Sequence, residues 1–267
     1  MAEIVLEPEA IAITRPDISH LITEDDTPVD NIFSEKQQRL LTEPLYASWK
    51  GGEAKRPFVA LANVGLFYAV DEPAIVPDAL LSLDVTLPEE VWEKRHRSYF
   101  MWEYGKPPDV VVEIVSNRQG GELGRKKSLY ARLGIAWYIV YDPERQLNAK
   151  DLHLFERRGS GYMPTRRLWL PEVGLGVQLW TGTYADLHAT WLRWCDQEGN
   201  LLLTGEEAAT QQHERAEQER QRAEQERQRA EQERQRAEQE RQRAEQEHER
   251  AERLAAQLRA LGAEPEA

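Results

Sequence analysis

Apolar positions follow three rhythms along the chain. Between residues 58 and 180 they gather in short runs bounded by Gly, Pro, Asn and Asp, a strand pattern. FVALANVGLFYAV (58–70) predicts one strand with Gly65 as a bulge. A turn at Pro73 leads into IVPDALLSLDV, a second strand. DVVVEIV (109–115) and IAWYIVYDP (135–143) are nearly continuous apolar runs, which suits buried central strands. Between them Gly120-Gly121 breaks the chain and ELGRKKSLYARLG predicts a helix. Leu123, Leu129, Tyr130 and Leu133 form its apolar face, and Gly134 sits at its C-terminal cap. DLHLFERR, the stretch around 168–170 and GLGVQLW predict shorter strands in hairpin-like order. Helical spacing appears in NIFSEKQQRLL ahead of Pro44, at 89–97 and in YADLHATWLRW (184–194), while KRHRSYFMWEYGKPP (94–108) reads as a loop. The sum is an α/β (α+β) domain, a mixed β-sheet flanked by helices.

The third rhythm is a heptad. RAEQERQ begins at Arg215, Arg222, Arg229 and Arg236 and recurs with small changes at Arg243. Alanine is the only apolar residue in each repeat, whereas a dimeric coiled coil wants two larger ones. Charges pair along one strand of helix instead, as Glu217 with Arg220, Arg220 with Glu224 and Arg222 with Glu226. Each such pair contributes about 0.2–0.5 kcal/mol. The tail therefore predicts a long, solvated charged α-helix acting as a spacer, with a coiled coil as the rival arrangement. Leu254, Leu258 and Leu261 form its one sticky face.

Composition divides the chain further. At about 100–200 residues per domain, 267 residues allow one or two domains. The mean hydropathy of −0.69 is too polar for one globule. Residues 1–35 hold nine acids against Arg15, and residues 206–267 hold seventeen acids against twelve arginines. The remaining 36–205 balance 21 acids with 21 bases, so the net charge of −13 belongs to head and tail. The expected organisation is an acidic, poorly ordered segment at 1–25, a folded domain at 26–205, the helix at 206–262 and a disordered end at 263–267. No apolar run approaches the length of a membrane span, and the start lacks the basic-then-apolar order of a signal peptide. A cytoplasmic protein without a membrane partner is expected. The single cysteine, Cys195, excludes an internal disulfide and a cysteine-rich zinc site.

Phosphate-binding glycine loops, HExxH and GxSxG are all missing. One constellation carries chemistry. Asp78 follows Pro77 within the strand IVPDALLSLDV, Glu113 lies inside an apolar strand, and Lys126 and Lys127 stand on the next helix. An acid in an apolar strand is costly unless it is paired or bound to a cation. Two carboxylates on neighbouring strands could hold one Mg²⁺, and a lysine could orient water or steady a phosphorane-like transition state. The same residues also read as an ion pair between Glu113 and Lys126 with Asp78 capping a turn.

PPDVVVEIVSNRQGGELGRKKSLYARLGIAWYIVYDP resembles the core of the Uma-two family, restriction-endonuclease-like proteins of the PD-(D/E)XK nuclease superfamily. NVGLFYAV, VPDALLSLDV, WLRWCDQEGNLLLTGEE and the ending LAAQLRALG extend the resemblance over roughly residues 30–262. It implies a restriction-endonuclease-like fold and Mg²⁺-dependent hydrolysis of nucleic acid, DNA first, with Mn²⁺ as a substitute ion. It implies Asp78 and Glu113 as the metal-holding acids, the Ile114 carbonyl as a further ligand and Lys126 as the catalytic lysine. That lysine has moved from the usual place two residues after the acid, where Val115 stands. Lys127 is the less favoured lysine, Asp84 and Asp109 are alternative acids, and Ser116 is a weaker neighbour of the metal. A homodimer is a further implication. Read from the residues themselves, KRHRSYFMWEYGK (94–106) mixes bases with aromatics and is the candidate nucleic-acid contact surface, or equally an ordinary loop with buried aromatics. The rival is a catalytically silent nucleic-acid-binding or scaffold protein that uses the helix for assembly.

Overall fold

Val, Ile, Leu and aromatic residues cluster in the segments that pair into the main sheet, where branched and ring side chains pack well. In the computed structural model, Asp17, residues 31–116 and residues 121–260 are described. The segment expected at 1–25 (Asp17 apart), Gly120, the side chain of Leu258, Leu261 and the end at 263–267 lie outside the described residues. The strands are β1 (Phe58–Ala62), β2 (Leu66–Phe67), β3 (Ala79–Leu83), β4 (Tyr99–Phe100), β5 (Val110–Ile114) and β6 (Trp137–Tyr141). They continue with β7 (Leu152–Arg158), β8 (Gly161–Thr165), β9 (Trp169–Leu170), β10 (Leu175–Tyr184) and β11 (Leu187–Cys195). The helices are α1 (Ile32–Pro44), α2 (Met101–Tyr104), α3 (Lys127–Leu133) and α4 (Gly205–Ala260). The chain divides into two compact units between Ala208 and Ala209.

The central sheet runs β1-β3-β5-β6-β7-β8. Only β5 and β6 are parallel, and α3 forms the crossover that parallel neighbours need. Both are buried along their whole length. On one face Val110, Val112 and Ile114 join Leu41 of α1 and Leu175 and Leu192 of a second sheet, β11-β10-β9. On the other, Val111 and Val115 pack with Tyr130 of α3, Tyr138 of β6 and Tyr99 of β4. Glu113 falls in the odd-numbered set, so it faces α3.

Several expected elements take another form. Residues 184–194 are not a helix. They supply β11, paired along its length with β10. Ala185 and Asp186 make the hairpin turn with φ of 46° and 63°, the double left-handed conformation that matches strand twist. The strand expected over 58–70 breaks at Asn63, φ 54°, and continues as β2 in a separate two-stranded sheet with β4. Residues 89–97 form only a single 3₁₀ turn at Lys94–His96, and Val91 and Trp92 are exposed. The expected loop at 94–108 contains β4 and α2. Tyr99 and Phe100 are fully buried there, while Lys94, Arg95, Trp102 and Tyr104 stay partly exposed and Arg97 exposed.

Helix α4 has 56 residues and spans about 84 Å at 1.5 Å per residue. Arg220 pairs with Glu217 at 3.2 Å and Arg241 with Glu238 at 3.3 Å. Gln228 and Gln242 donate to glutamates one turn back. Among the described residues no helix is long and apolar enough to cross a membrane.

Candidate active site

Asp78 and Glu113 meet because β3 and β5 run antiparallel. Ala79 pairs with Val112, which sets Asp78, one residue ahead, level with Glu113. Asp78 is nine-tenths buried. Its Oδ2 accepts the Ile114 N–H at 2.7 Å, and its Oδ1 accepts from Gln38 Nε2 at 2.8 Å. The acid is thus fixed from two sides, by the backbone of β5 and by α1. The Asn31 side chain caps α1 by accepting from the Ser34 N–H at 2.9 Å.

Glu113 is 1% exposed. Its Oε2 accepts from Lys126 Nζ at 2.8 Å, and its Oε1 accepts from the Tyr130 hydroxyl at 2.6 Å. Burial pushes the Glu113 carboxyl up to about 8; the Lys126 ammonium pulls it back, and Asp78 adds to the rise. Burial alone would lower Lys126, but Glu113 outweighs it and holds the ammonium above its ordinary value.

The lysine reaches this acid through a local device. Gly121 takes the left-handed conformation at φ 73°, and Glu122–Lys126 then form a π-helical turn with the Lys126 N–H donating to the Gly121 carbonyl at 3.2 Å. The α-helix continues from Lys127. The turn brings Lys126 to the sheet, and Tyr130 follows one α-helical turn later. The Tyr138 hydroxyl donates to the Glu122 carbonyl at 3.0 Å and ties the turn to β6. Lys127 points elsewhere, with its ammonium 4.0 Å from the centre of the Phe155 ring.

Val115 explains the missing strand lysine in packing terms. It is 2% exposed and belongs to the apolar cluster that includes Tyr130, Ile135 and Tyr138. The two alternative acids sit at the far end of these strands and hold structure there. Asp84 grips Arg56 through both oxygens, at 2.9 and 2.5 Å. Asp109 accepts the Leu83 N–H at 2.7 Å and Lys106 Nζ at 2.6 Å. Asp109 is four residues from Glu113, about 13 Å along a strand. The Ser116 carbonyl accepts from Gln146 at 3.2 Å.

Three neighbours of the site carry little signal in the sequence. Tyr130 enters the helical pattern only as part of its apolar face. Glu122, 5% exposed, lies with its Oε1 3.8 Å from Lys126 Nζ. The spacing Glu122-Lys126-Tyr130, every fourth residue on one helix, was the available signal for both. Gln38 lies 40 residues from Asp78 and left no such signal.

Three buried carboxyl groups share one ammonium here, and all offer hard oxygen donors. Glu122 Oε2 is buried without a hydrogen-bond partner among the described residues. That donor chemistry fits a divalent cation such as Mg²⁺, which keeps waters in its shell and needs only one or two protein carboxylates. Among the described residues no three His, Cys, Asp or Glu side chains converge as a ready-made metal cage. The fit is therefore to an ion completed by water and substrate oxygens.

A family model described as "Uma2: Putative restriction endonuclease" matches residues 23–179, which contain every group just named. No curated protein matches the chain. The match covers more than half of the 267 residues, spans the central sheet and the acid–lysine site, and makes the chain a member of the Uma2 family.

Proposed function

We propose that the chain is a metal-dependent endonuclease that hydrolyses phosphodiester bonds of nucleic acid, with DNA as the first substrate to test. The observation that carries this reading is the 2.8 Å contact between Lys126 and buried Glu113, across 13 residues and two secondary-structure elements. Asp78 and Glu113 would hold Mg²⁺ or Mn²⁺. On a strand the N–H and C=O of one residue point the same way, so the Ile114 carbonyl is directed, like its N–H, toward Asp78 and is the candidate third oxygen. A bound divalent ion supplies a water of lowered pKa and polarises the phosphate.

The residues of the chain do the rest. Gln38 and the Ile114 N–H fix the Asp78 carboxyl, and Tyr130 fixes one Glu113 oxygen. Lys126 carries the positive charge beside the acids, where it can orient the attacking water and steady negative charge developing on the phosphate. Its side chain is 22% exposed.

The test is Mn²⁺-dependent cleavage of plasmid and single-stranded DNA by the full chain, with Glu113→Ala and Lys126→Ala beside it. Activity in the parent and loss in both variants, each still folded, is the expected result. Undiminished cleavage in Glu113→Ala would overturn the site. A parent that binds Mn²⁺ and cuts neither substrate would favour the non-catalytic binding protein.

A further inference from the structure

We propose that Glu122 is a receiving carboxylate for Lys126, so that cation binding at Asp78 and Glu113 moves the lysine ammonium from Glu113 to Glu122. The inference rests on the metal-site reading above and extends it to the route by which the site opens.

Both oxygens of Glu113 already accept a hydrogen bond. Lys126 occupies Oε2 and Tyr130 occupies Oε1. A cation that takes Glu113 competes with the ammonium for the same oxygen. Like charges repel strongly in a buried site. An ammonium displaced there without an acceptor would be left as an uncompensated, partly desolvated charge, which is strongly destabilising. A second carboxylate within a small movement removes that penalty.

Glu122 has the required properties. Its Oε1 lies 3.8 Å from Lys126 Nζ, so a shift of about 1 Å in a flexible lysine side chain makes a full hydrogen bond. The backbone of Glu122 is pinned by the Tyr138 hydroxyl, so the lysine end of the pair is the one free to move. Glu122 is 5% exposed, and its Oε2 has no hydrogen-bond partner among the described residues. Buried carboxylate oxygens without a donor are rare, and this one belongs to the carboxyl group whose other oxygen, Oε1, faces Lys126. Glu122 is a positioning residue on this account: it acts through Lys126 and keeps its charge near the reacting phosphate.

The experiment is a calorimetric Mn²⁺ titration of four full-length proteins: the parent, Glu122→Gln, Lys126→Met and the double variant. Glu122→Gln should weaken Mn²⁺ binding about tenfold in the parent. With Lys126→Met no ammonium needs a receiver, so the same change should cost less than about a third of that loss in fold terms. Equal losses in the two backgrounds would make Glu122 a direct or through-space contributor to the cation and overturn the transfer. No loss in the parent background would overturn it too. A parent that binds no Mn²⁺ would remove the metal-site reading itself, a result distinct from either. A crystal structure of the parent with Mn²⁺ bound gives a check without variants. Lys126 Nζ should lie about 3 Å from Glu122 and off Glu113; an ammonium still on Glu113 would refute the inference.

Discussion

Lys126 Nζ sits 2.8 Å from Glu113 Oε2, while Lys127, the next residue, places its ammonium over the Phe155 ring. The end of the π-helical turn separates them. Two adjacent lysines therefore have opposite expected effects. Lys126→Ala should lower cleavage by about 10²–10³-fold, the size of effect seen when one preorganised donor to a developing charge is removed. Lys127→Ala should leave cleavage within about twofold and cost about 0.5–2 kcal/mol of stability, the range for a cation–π contact between exposed and desolvated settings. Cleavage assays and denaturant melts on both variants test this pair of outcomes. Equal loss of cleavage in the two would remove Lys126 from its assigned place.

Tyr130 donates to Glu113 at 2.6 Å from a fully buried ring. Tyr130→Phe keeps the ring in its packing and deletes only the donor. The Glu113 carboxyl group then loses one of its two partners in an apolar setting, at a cost of about 1–2 kcal/mol. The expected result is a lower urea midpoint with an unchanged m-value. An unchanged midpoint would mean that water replaces the hydroxyl without loss.

Glu113 makes the fold sensitive to pH in a direction set by its environment. Its carboxyl is raised from 4.5 to about 8, first by burial. The folded state therefore holds this proton more tightly than the unfolded chain. The stabilisation is fully present below about 4.5 and is lost as pH rises through 8. Glu113→Gln cannot ionise and escapes the loss. Its stability relative to the parent should rise with pH between 5 and 8, by no more than roughly 1.4 kcal/mol per unit, and then level off. Denaturant titrations at several pH values, without divalent ions, follow that difference. A constant difference across the range would show that Glu113 is not raised.

Much of this site was legible before any fold was known. Glu113 stands out because an acid interrupts a run of five valines and isoleucines, and Asp78 because it follows a proline within the other candidate strand. The crossover helix announced itself by its apolar face and by Gly134, which does cap it at φ 89°. The rest was hidden for physical reasons. Leu187, Trp191 and Trp194 are spaced near a helical period, and the buried end of β11 is covered on both faces, which erases the alternation of a strand. Its turn, Ala185-Asp186, lacks the Asn-Gly signature that its backbone conformation favours. Gln38 bonds Asp78 through tertiary contact alone. Glu122 and Tyr130 were visible as a stripe, but a stripe does not say which polar group will be buried.

The start of α4 is the last place where one bond decides an outcome. Thr204 and Glu207 form a reciprocal cap. The Thr204 N–H donates to Glu207 at 2.9 Å, and the Glu207 N–H donates to the threonine hydroxyl at 3.2 Å. The same glutamate accepts from both terminal nitrogens of Arg193, at 2.8 and 2.6 Å. Arg193 is 2% exposed, faces the Trp180 ring and also donates to the Leu202 carbonyl at 2.7 Å. Glu207→Ala removes a cap and leaves a buried guanidinium without its carboxylate. The expected cost is about 3 kcal/mol or more, because breaking a buried pair from one side strands the other charge. Adding Arg193→Met should recover most of the loss, since an apolar replacement of the whole pair is often neutral. A chain ending at Ala208 should melt like the parent, and one ending at Thr204 should reproduce the loss of Glu207→Ala. If ending the chain at Thr204 costs nothing, Glu207 is dispensable and the first turn of α4 belongs with the tail.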